Sequence, residues 1–378
     1  MTERAAVRRA VACCLALLVC AGCASAESFE DGRLEVFISR HADLKAGNYV
    51  LEDEIVSFID GAEHTMDIAM QEIRWAEDGQ WPIVDAIVAA AHRGVTVRVI
   101  VEADYYDEEH PGNLALYERF VAEPNITPMR DANPAIFHNK FVVRDASGED
   151  AALLAGSTNF TDTGTRANYN HIVIVHFPPV DEPPSYYAML DRYQAEFDEA
   201  WGGTFGNIDP TEEPLRCRIG RTYCRVFFAP DNDPDDYLLD LLCDARDSLD
   251  VMVFTFGSSS PLMAGVINRW FTWARNSTEE APPRLRVAME SQQARYWSAY
   301  PPLLALGVPV RLECDPNAKL HHKVAIIDGA RVILGSYNWT RPANDSNDEN
   351  TIVLSNRDVA EMFTDAFDEL WEDVLVGP

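Results

Sequence analysis

His138-Asn139-Lys140-Phe141-Val142-Val143-Arg144-Asp145 has a second version later in the chain, His321-His322-Lys323-Val324-Ala325-Ile326-Ile327-Asp328. In both, His and Lys stand two apart at the head of an apolar run. On a strand that spacing points imidazole and ammonium to the same face. A second apolar run follows each, at 151–155 and 331–334, and ends in a turn of small residues: Gly156-Ser157-Thr158-Asn159 and Gly335-Ser336-Tyr337-Asn338. Further on, Phe197-Asp198-Glu199-Ala200-Trp201 is matched by Phe367-Asp368-Glu369-Leu370-Trp371. Three matches in one order at nearly one spacing identify a duplicated unit.

Outward from these anchors the two copies read alike. A strand at 34–38 or 223–228 leads to a helix with apolar positions Ile55, Phe58 and Ile59, or Leu238, Leu241 and Leu242. Strands at 65–71 and 249–256 precede helices at 82–92 and 261–274. The apolar runs 95–101 and 285–289 have the character of strands covered on both faces. Each copy closes with an amphipathic helix, striped by Tyr186, Leu190, Tyr193, Phe197 and Trp201 in the first and by Met362, Phe363, Ala366, Phe367, Leu370 and Trp371 in the second. This alternation predicts an α/β fold of two similar lobes, each a mostly parallel or mixed sheet flanked by helices, related by a pseudo-twofold axis. The expected divisions are a leader at 1–26, lobes at 27–201 and 217–378, and a Gly/Pro/acidic linker at 202–216.

The 378 residues carry 31 Lys+Arg against 61 Asp+Glu, a formal charge of −30. A hydrophobic content of 47% excludes disorder and supports large cores. The charge argues against sequence-blind binding of phosphate polymers, which needs a basic groove. Only four of the basic residues are lysines: Lys45, Lys140, Lys319 and Lys323. Two of them belong to the repeated motif.

Arg4, Arg8 and Arg9 followed by the apolar run 10–22 read as an export signal, too short to span a bilayer. Two cleavage readings stay open. Cys20-Ala21-Gly22-Cys23 resembles a bacterial lipoprotein box, and Ala24-Ser25-Ala26 is a small-x-small site for release. The expected location is therefore the outer membrane as a lipoprotein, or the periplasm or medium as a secreted protein. Downstream lie Cys217, Cys224, Cys243 and Cys314. In an exported chain Cys217 and Cys224, flanking a turn at Gly220, form the first expected disulfide, with buried thiols as the alternative.

The repeated residues define a chemistry. Each copy offers an imidazole, an ammonium, a hydroxyl (Ser157 or Ser336) and an amide (Asn159 or Asn338), a set suited to phosphate. Two copies facing each other place two imidazoles on opposite sides of one phosphorus. One neutral His can attack phosphorus while the other, protonated, supplies a proton to the leaving oxygen. Lysines and asparagines stabilise the non-bridging oxygens. Neither metal nor other cofactor is required, because those donors do what a cation would do.

These residues resemble the phospholipase D superfamily, whose pattern is His-x-Lys-x4-Asp followed by Gly-Ser-x-Asn. The second copy fits with His321, Lys323, Asp328, Gly335, Ser336 and Asn338. The first fits with His138, Lys140, Asp145, Gly156, Ser157 and Asn159, its hairpin lengthened around Ser147-Gly148-Glu149-Asp150. The resemblance implies a phosphodiesterase or phosphatidyl transferase with one site between two lobes. It also implies His138 as nucleophile, His321 as acid and base, and structural roles for Asp145 and Asp328. In this family a carboxylate downstream of Gly-Ser-x-Asn often holds the catalytic His. Glu349 stands there in the second copy and Asn170 in the first. The resulting expectation is that Glu349 keeps His321 protonated while Asn170 leaves His138 neutral.

Other residues receive plainer readings. His171 and His322 should point away from the site, with substrate contact as the alternative, and Asn168 and Asn347 should support its loops. Lys319 is read as a solvated loop lysine, with attraction of an anionic head group as the alternative. Trp75, Trp81, Trp297 and Tyr300 are read as buried packing, with a cleft-lining role as the alternative. Asp104, Asp107, Glu108 and Glu109 are read as an acidic, solvated loop, with a calcium role as the alternative. The expected partner is phospholipid at a membrane surface, acted on by a monomer that holds both motifs. Phospholipid hydrolysis leads; a cardiolipin-synthase-like transferase, an exported nuclease and a catalytically silent binding protein remain as alternatives. Nucleic acid is disfavoured by the charge.

Overall fold

The computed structural model describes residues 25–74, 81–179, 184–206, 213–276 and 283–377. Residues 1–24 of the expected leader, residues 207–212 of the expected linker and Trp75 lie outside them.

Each copy is built on an eight-stranded mixed sheet. The first contains β1 (Ala26–Phe29), β2 (Leu34–Ile38), β3 (Thr65–Met70), β4 (Thr96–Val101), β5 (Ile126–Arg130), β6 (Lys140–Arg144), β7 (Ala152–Gly156) and β8 (His171–His176), in the order β1-β2-β8-β7-β6-β3-β4-β5. The second contains β9 (Leu215–Ile219), β10 (Thr222–Ala229), β11 (Ser248–Val253), β12 (Arg284–Glu290), β13 (Val310–Glu313), β14 (Lys323–Ile327), β15 (Arg331–Gly335) and β16 (Glu349–Ser355). Read from the same edge its order is β9-β10-β16-β15-β14-β11-β12-β13, strand for strand the first. The pairs β3/β4, β4/β5, β11/β12 and β12/β13 are parallel, and the remaining pairs are antiparallel. The edge strands β1, β5, β9 and β13 and the inner strands β8 and β16 escaped the sequence reading. β9 starts at Leu215, inside the stretch expected as linker.

The layers follow from which strand faces are apolar. Helices Val50–Asp60, Pro82–His92 and Pro111–Ala122 cover the outer face of the first sheet, burying Ile55, Phe58, Ile87 and Leu116. Helices Pro234–Cys243 and Pro261–Asn276 do the same for the second, with Leu238, Leu242 and Val266. Between the sheets lie the closing helices Pro184–Trp201 and Arg357–Asp373, in one core joining Phe141, Tyr193 and Phe197 to Phe228, Phe363 and Phe367. That shared core fixes the lobes against each other. Truncating Phe197 to Ala would cost about 3–5 kcal/mol.

The repeated Phe-Asp-Glu-x-Trp segment has a physical purpose. Arg98, in the middle of β4, pairs with Asp67 at 2.6 Å and Asp198 at 2.9 Å, and lies over the Phe197 ring at 4.7 Å. Arg286, in β12, pairs with Asp250 at 2.8 Å and Asp368 at 2.6 Å, over Phe367 at 4.4 Å. The charge of each guanidinium is neutralised by the flanking carboxylates and its face covered by an aromatic ring, so burial in the sheet is tolerated.

Cys217 and Cys224 face each other in register on β9 and β10, buried, as free thiols and not as the expected disulfide. The Cys224 thiol is turned to the Thr222 carbonyl at 3.7 Å.

Candidate active site

The chain just ahead of each motif strand leaves its own sheet and pairs with the other lobe. Phe137 bridges Asp348, and the His138 N–H donates to the Asp348 carbonyl at 2.9 Å. Tyr169 bridges Leu320, and the His321 N–H donates to the Tyr169 carbonyl at 3.0 Å. Each crossing sets the next residues of the two lobes side by side. His138 Nδ1 therefore meets Glu349 Oε2 at 2.6 Å, and His321 Nδ1 meets Asn170 Oδ1 at 2.9 Å.

This corrects the sequence expectation, which paired Glu349 with His321 and Asn170 with His138. Counting along one lobe assumed that each histidine is served by its own copy. The crossed bridges exchange the partners.

Both histidines line one cavity of about 210 Å³, together with Gln71, Glu72, Tyr105, Asn159 and Phe254. Lys140 and Lys323 are fully buried beside them. Lys140 Nζ donates to the His138 carbonyl at 2.8 Å and to Gln71 Oε1 at 3.0 Å. Lys323 Nζ donates to the His321 carbonyl at 2.9 Å and lies 4.9 Å from the centre of the Phe254 ring. Gln71 and Phe254 hold equivalent places just past β3 and β11, and the sequence reading missed both. Asn159 Nδ2 donates to Gln71 Oε1 at 3.2 Å, and the buried Asn159 Oδ1 and Asn338 Oδ1 have no partner.

The small-residue turns support the histidine partners. Ser157 donates to Asn170 Oδ1 at 2.8 Å, and Ser336 to Glu349 Oε2 at 2.7 Å. A Cβ on Gly156 or Gly335 would stand 2.3 Å from the His171 or Asn350 carbonyl, so only glycine lets these strands approach. Asn347 Nδ2 donates to Glu349 Oε1 at 3.3 Å, and Asn168 lines the cavity.

Asp145 and Asp328 lie away from the cavity. Asp145 accepts from the backbone N–H groups of Glu63, His64 and Thr65, and Asp328 from those of Arg246, Asp247 and Ser248, so each pins the start of β3 or β11. Two further buried acids were not anticipated. Glu102 Oε2 accepts from the N–H of Phe137 at 2.6 Å, and Glu290 Oε2 from that of Leu320 at 2.9 Å. Each therefore ties down the residue preceding a motif histidine. A carboxylate closing the same apolar strand in both copies was the sequence clue.

His171 and His322 stack at 5.3 Å between ring centres, fully buried and outside the cavity lining, as expected for side chains turned from the site. Lys319, read as solvated, is half-buried and lines the cavity. Trp81 is buried, Tyr300 is half-buried, and Trp297 is exposed against expectation.

Burial sets the electrostatics. It holds His138 and His321 well below the ordinary imidazole range, with Lys140 and Lys323 adding to the effect. It lowers Lys140 to about 7 and Lys323 well below the usual range. Burial also raises Glu349 to about 8, against the opposing pull of Lys140. A phosphodiester anion entering this cavity would favour the charged form of both lysines. Among the described residues no group of three or more His, Cys, Asp or Glu is placed to hold a metal ion.

Residues 55–201 and 238–371 match the family described as "Cardiolipin synthase, PLD-like domain". A "Mitochondrial cardiolipin hydrolase" of Chlamydomonas reinhardtii is 30% identical over 181 residues, 45% of this chain and 74% of that protein. A protein of the same name from Xenopus tropicalis is 32% identical over 137 residues, 36% of this chain and 60% of that protein. A phosphatidylserine synthase structure from Haemophilus influenzae Rd KW20 superposes with a TM-score of 0.61 at 12% identity, covering 93% of this chain and 89% of that one, a likeness of fold.

Proposed function

Since the chain belongs to the phospholipase D superfamily, we propose that it hydrolyses phospholipids, with His138 as nucleophile and His321 as acid and base. His138 Nε2 attacks phosphorus while its Nδ1–H donates to Glu349; Lys140 and Lys323, once charged beside the bound phosphodiester, favour the ionised Glu349 that stabilises the positive charge developing on the ring. The bound phosphodiester anion favours the protonated form of His321 against the effect of burial, and its Nε2–H gives the proton to the leaving alcohol oxygen. Water then attacks the phosphohistidine, loses its proton to His321, and phosphatidic acid departs as His138 is regenerated. The neutral partner Asn170 holds His321 without fixing it in one protonation state, as a residue that gives and retakes a proton requires. The observation carrying this reading is the single cavity lined by both histidines, each with a different partner.

Phosphatidyl transfer is the second reading, favoured by the match to a family described as cardiolipin synthase. It differs only in the acceptor, an alcohol in place of water.

For location we retain export with a lipid on Cys23. The Ser25 carbonyl accepts from the Ile38 N–H at 2.9 Å, so cleavage before Cys23 leaves β1 whole, whereas cleavage after Ala26 removes its first residue.

The test is hydrolysis of mixed phospholipids by purified protein in EDTA, with and without glycerol, alongside single-stranded DNA. Release of head-group alcohol that His138→Ala abolishes is the expected result. A phosphatidyl ester of p-nitrophenol, whose leaving group needs no acid, should make His321→Ala accumulate phosphohistidine at His138. DNA cleavage without lipid cleavage overturns the proposal, and phosphatidylglycerol as sole product in glycerol favours transfer.

A further inference from the structure

We propose that the loop Ser291–Ala299 of the second lobe docks the enzyme on a phospholipid surface, a reading that rests on the phospholipid substrate proposed above. Tyr296 is 93% exposed and Trp297 40% exposed, adjacent in sequence. Aromatic side chains with a polar edge favour the bilayer interface, where one end is apolar and the other wet.

The loop lies beside the cavity. The Ser258 N–H donates to the Trp297 carbonyl at 3.0 Å, and the Ala299 N–H to the Phe256 carbonyl at 2.7 Å. Phe254 lines the cavity, four residues before Ser258, which is about 13 Å along an extended chain. At about 210 Å³ the cavity is below the roughly 300–1,000 Å³ of pockets that enclose a small-molecule ligand. It can take a phosphate with a small head group, so the acyl chains must lie outside it, along its rim.

Charge selects the side of the rim. Ser291–Ala299 carries no carboxylate and one exposed cation, Arg295, and Lys319 lies at the cavity wall. The first lobe's counterpart, just past β4, carries Asp104, Asp107, Glu108 and Glu109, which lipid phosphates repel. The described chain also begins at the cavity end. Ser25 is bonded to Ile38, Ile38 pairs with His171, and the Ser39 N–H donates to the carbonyl of Asn170, the partner of His321. A lipid on Cys23 would therefore hold the cavity toward the bilayer.

The experiment compares wild type with Tyr296→Ser/Trp297→Ser and with Tyr296→Phe/Trp297→Phe. Sedimentation with phosphatidylcholine–phosphatidylglycerol vesicles measures binding. Hydrolysis is measured on the same vesicles and on monomeric dihexanoyl phosphatidylcholine. The serine variant should lose on the order of tenfold in vesicle binding and vesicle hydrolysis, keep its rate on the monomeric lipid, and be rescued by the phenylalanine variant. Unchanged vesicle binding, or equal losses on vesicles and monomer, overturns the docking role. Loss of vesicle binding in a protein that hydrolyses neither lipid leaves the docking role standing and overturns the proposed activity.

Discussion

His138 and His321 begin from the same motif, just ahead of equivalent strands, in the same cavity, yet one rests on a carboxyl group and the other on an amide. Much around them is duplicated: the serine beneath the partner, the lysine bonded to the histidine's own carbonyl, the buried glutamate holding the preceding residue, although Gln71 beside Lys140 gives way to Phe254 beside Lys323. A symmetric frame can thus support an asymmetric reaction when one position on each side diverges. In the proposed mechanism, an ionisable partner behind one imidazole and a neutral one behind the other divide attack from proton transfer.

The comparison can be broken most decisively at the nucleophile. His138→Ala should lower hydrolysis by about 10⁴-fold or more and abolish phosphohistidine, as read by rapid acid quench and phosphopeptide mapping. A phosphopeptide containing His321 would reverse the assignment of roles. Next in size is the partner. Glu349→Gln should lower kcat by about 10²–10⁴-fold. Asn170→Asp should cost about tenfold or less and move the pH profile upward, because a carboxylate raises the pKa of His321. Equal losses in both variants would remove the distinction between the two ends.

Stability gives a third test. Burial raises the pKa of Glu349 from the ordinary carboxylate value of 4.5 to about 8, so between these values the folded protein holds a proton that the unfolded chain has released. Stability therefore falls as pH rises through that window. Glu349→Gln, which cannot ionise, should gain in melting temperature over wild type as pH increases from 5 to 8, with little gain near pH 4. The smallest effect belongs to the anchoring aspartates. Asp145→Asn should lose about 1.5–3 kcal/mol in denaturant unfolding with kcat of the folded fraction kept. Asp328→Asn, at a more exposed carboxylate, should lose less.

The repeat was legible because its two imprints, periodicity of apolar residues and fixed spacing of functional ones, are local. Helix 82–92 and the strands around Phe141 and Val324 lie where those patterns place them. The histidine partners were misassigned because Phe137–Asp348 and Tyr169–Leu320 are contacts between segments remote in sequence, and nothing near Glu349 records which imidazole it will meet. Edge strand β9 was lost to its neighbours, since a Gly/Pro/acidic stretch runs directly into Leu215. Trp297 was assigned to packing on residue type alone, and its exposure depends on a loop whose course composition does not encode.

The crossed histidine partners carry an evolutionary consequence. An ancestral single repeat, folded alone, would have had an imidazole with nothing behind it, and competence would have required two identical copies to associate. Such an assembly cannot improve one end without altering the other. Once the copies were joined in one polypeptide, Glu349 and Asn170 became separately mutable, and specialisation of the two ends became heritable.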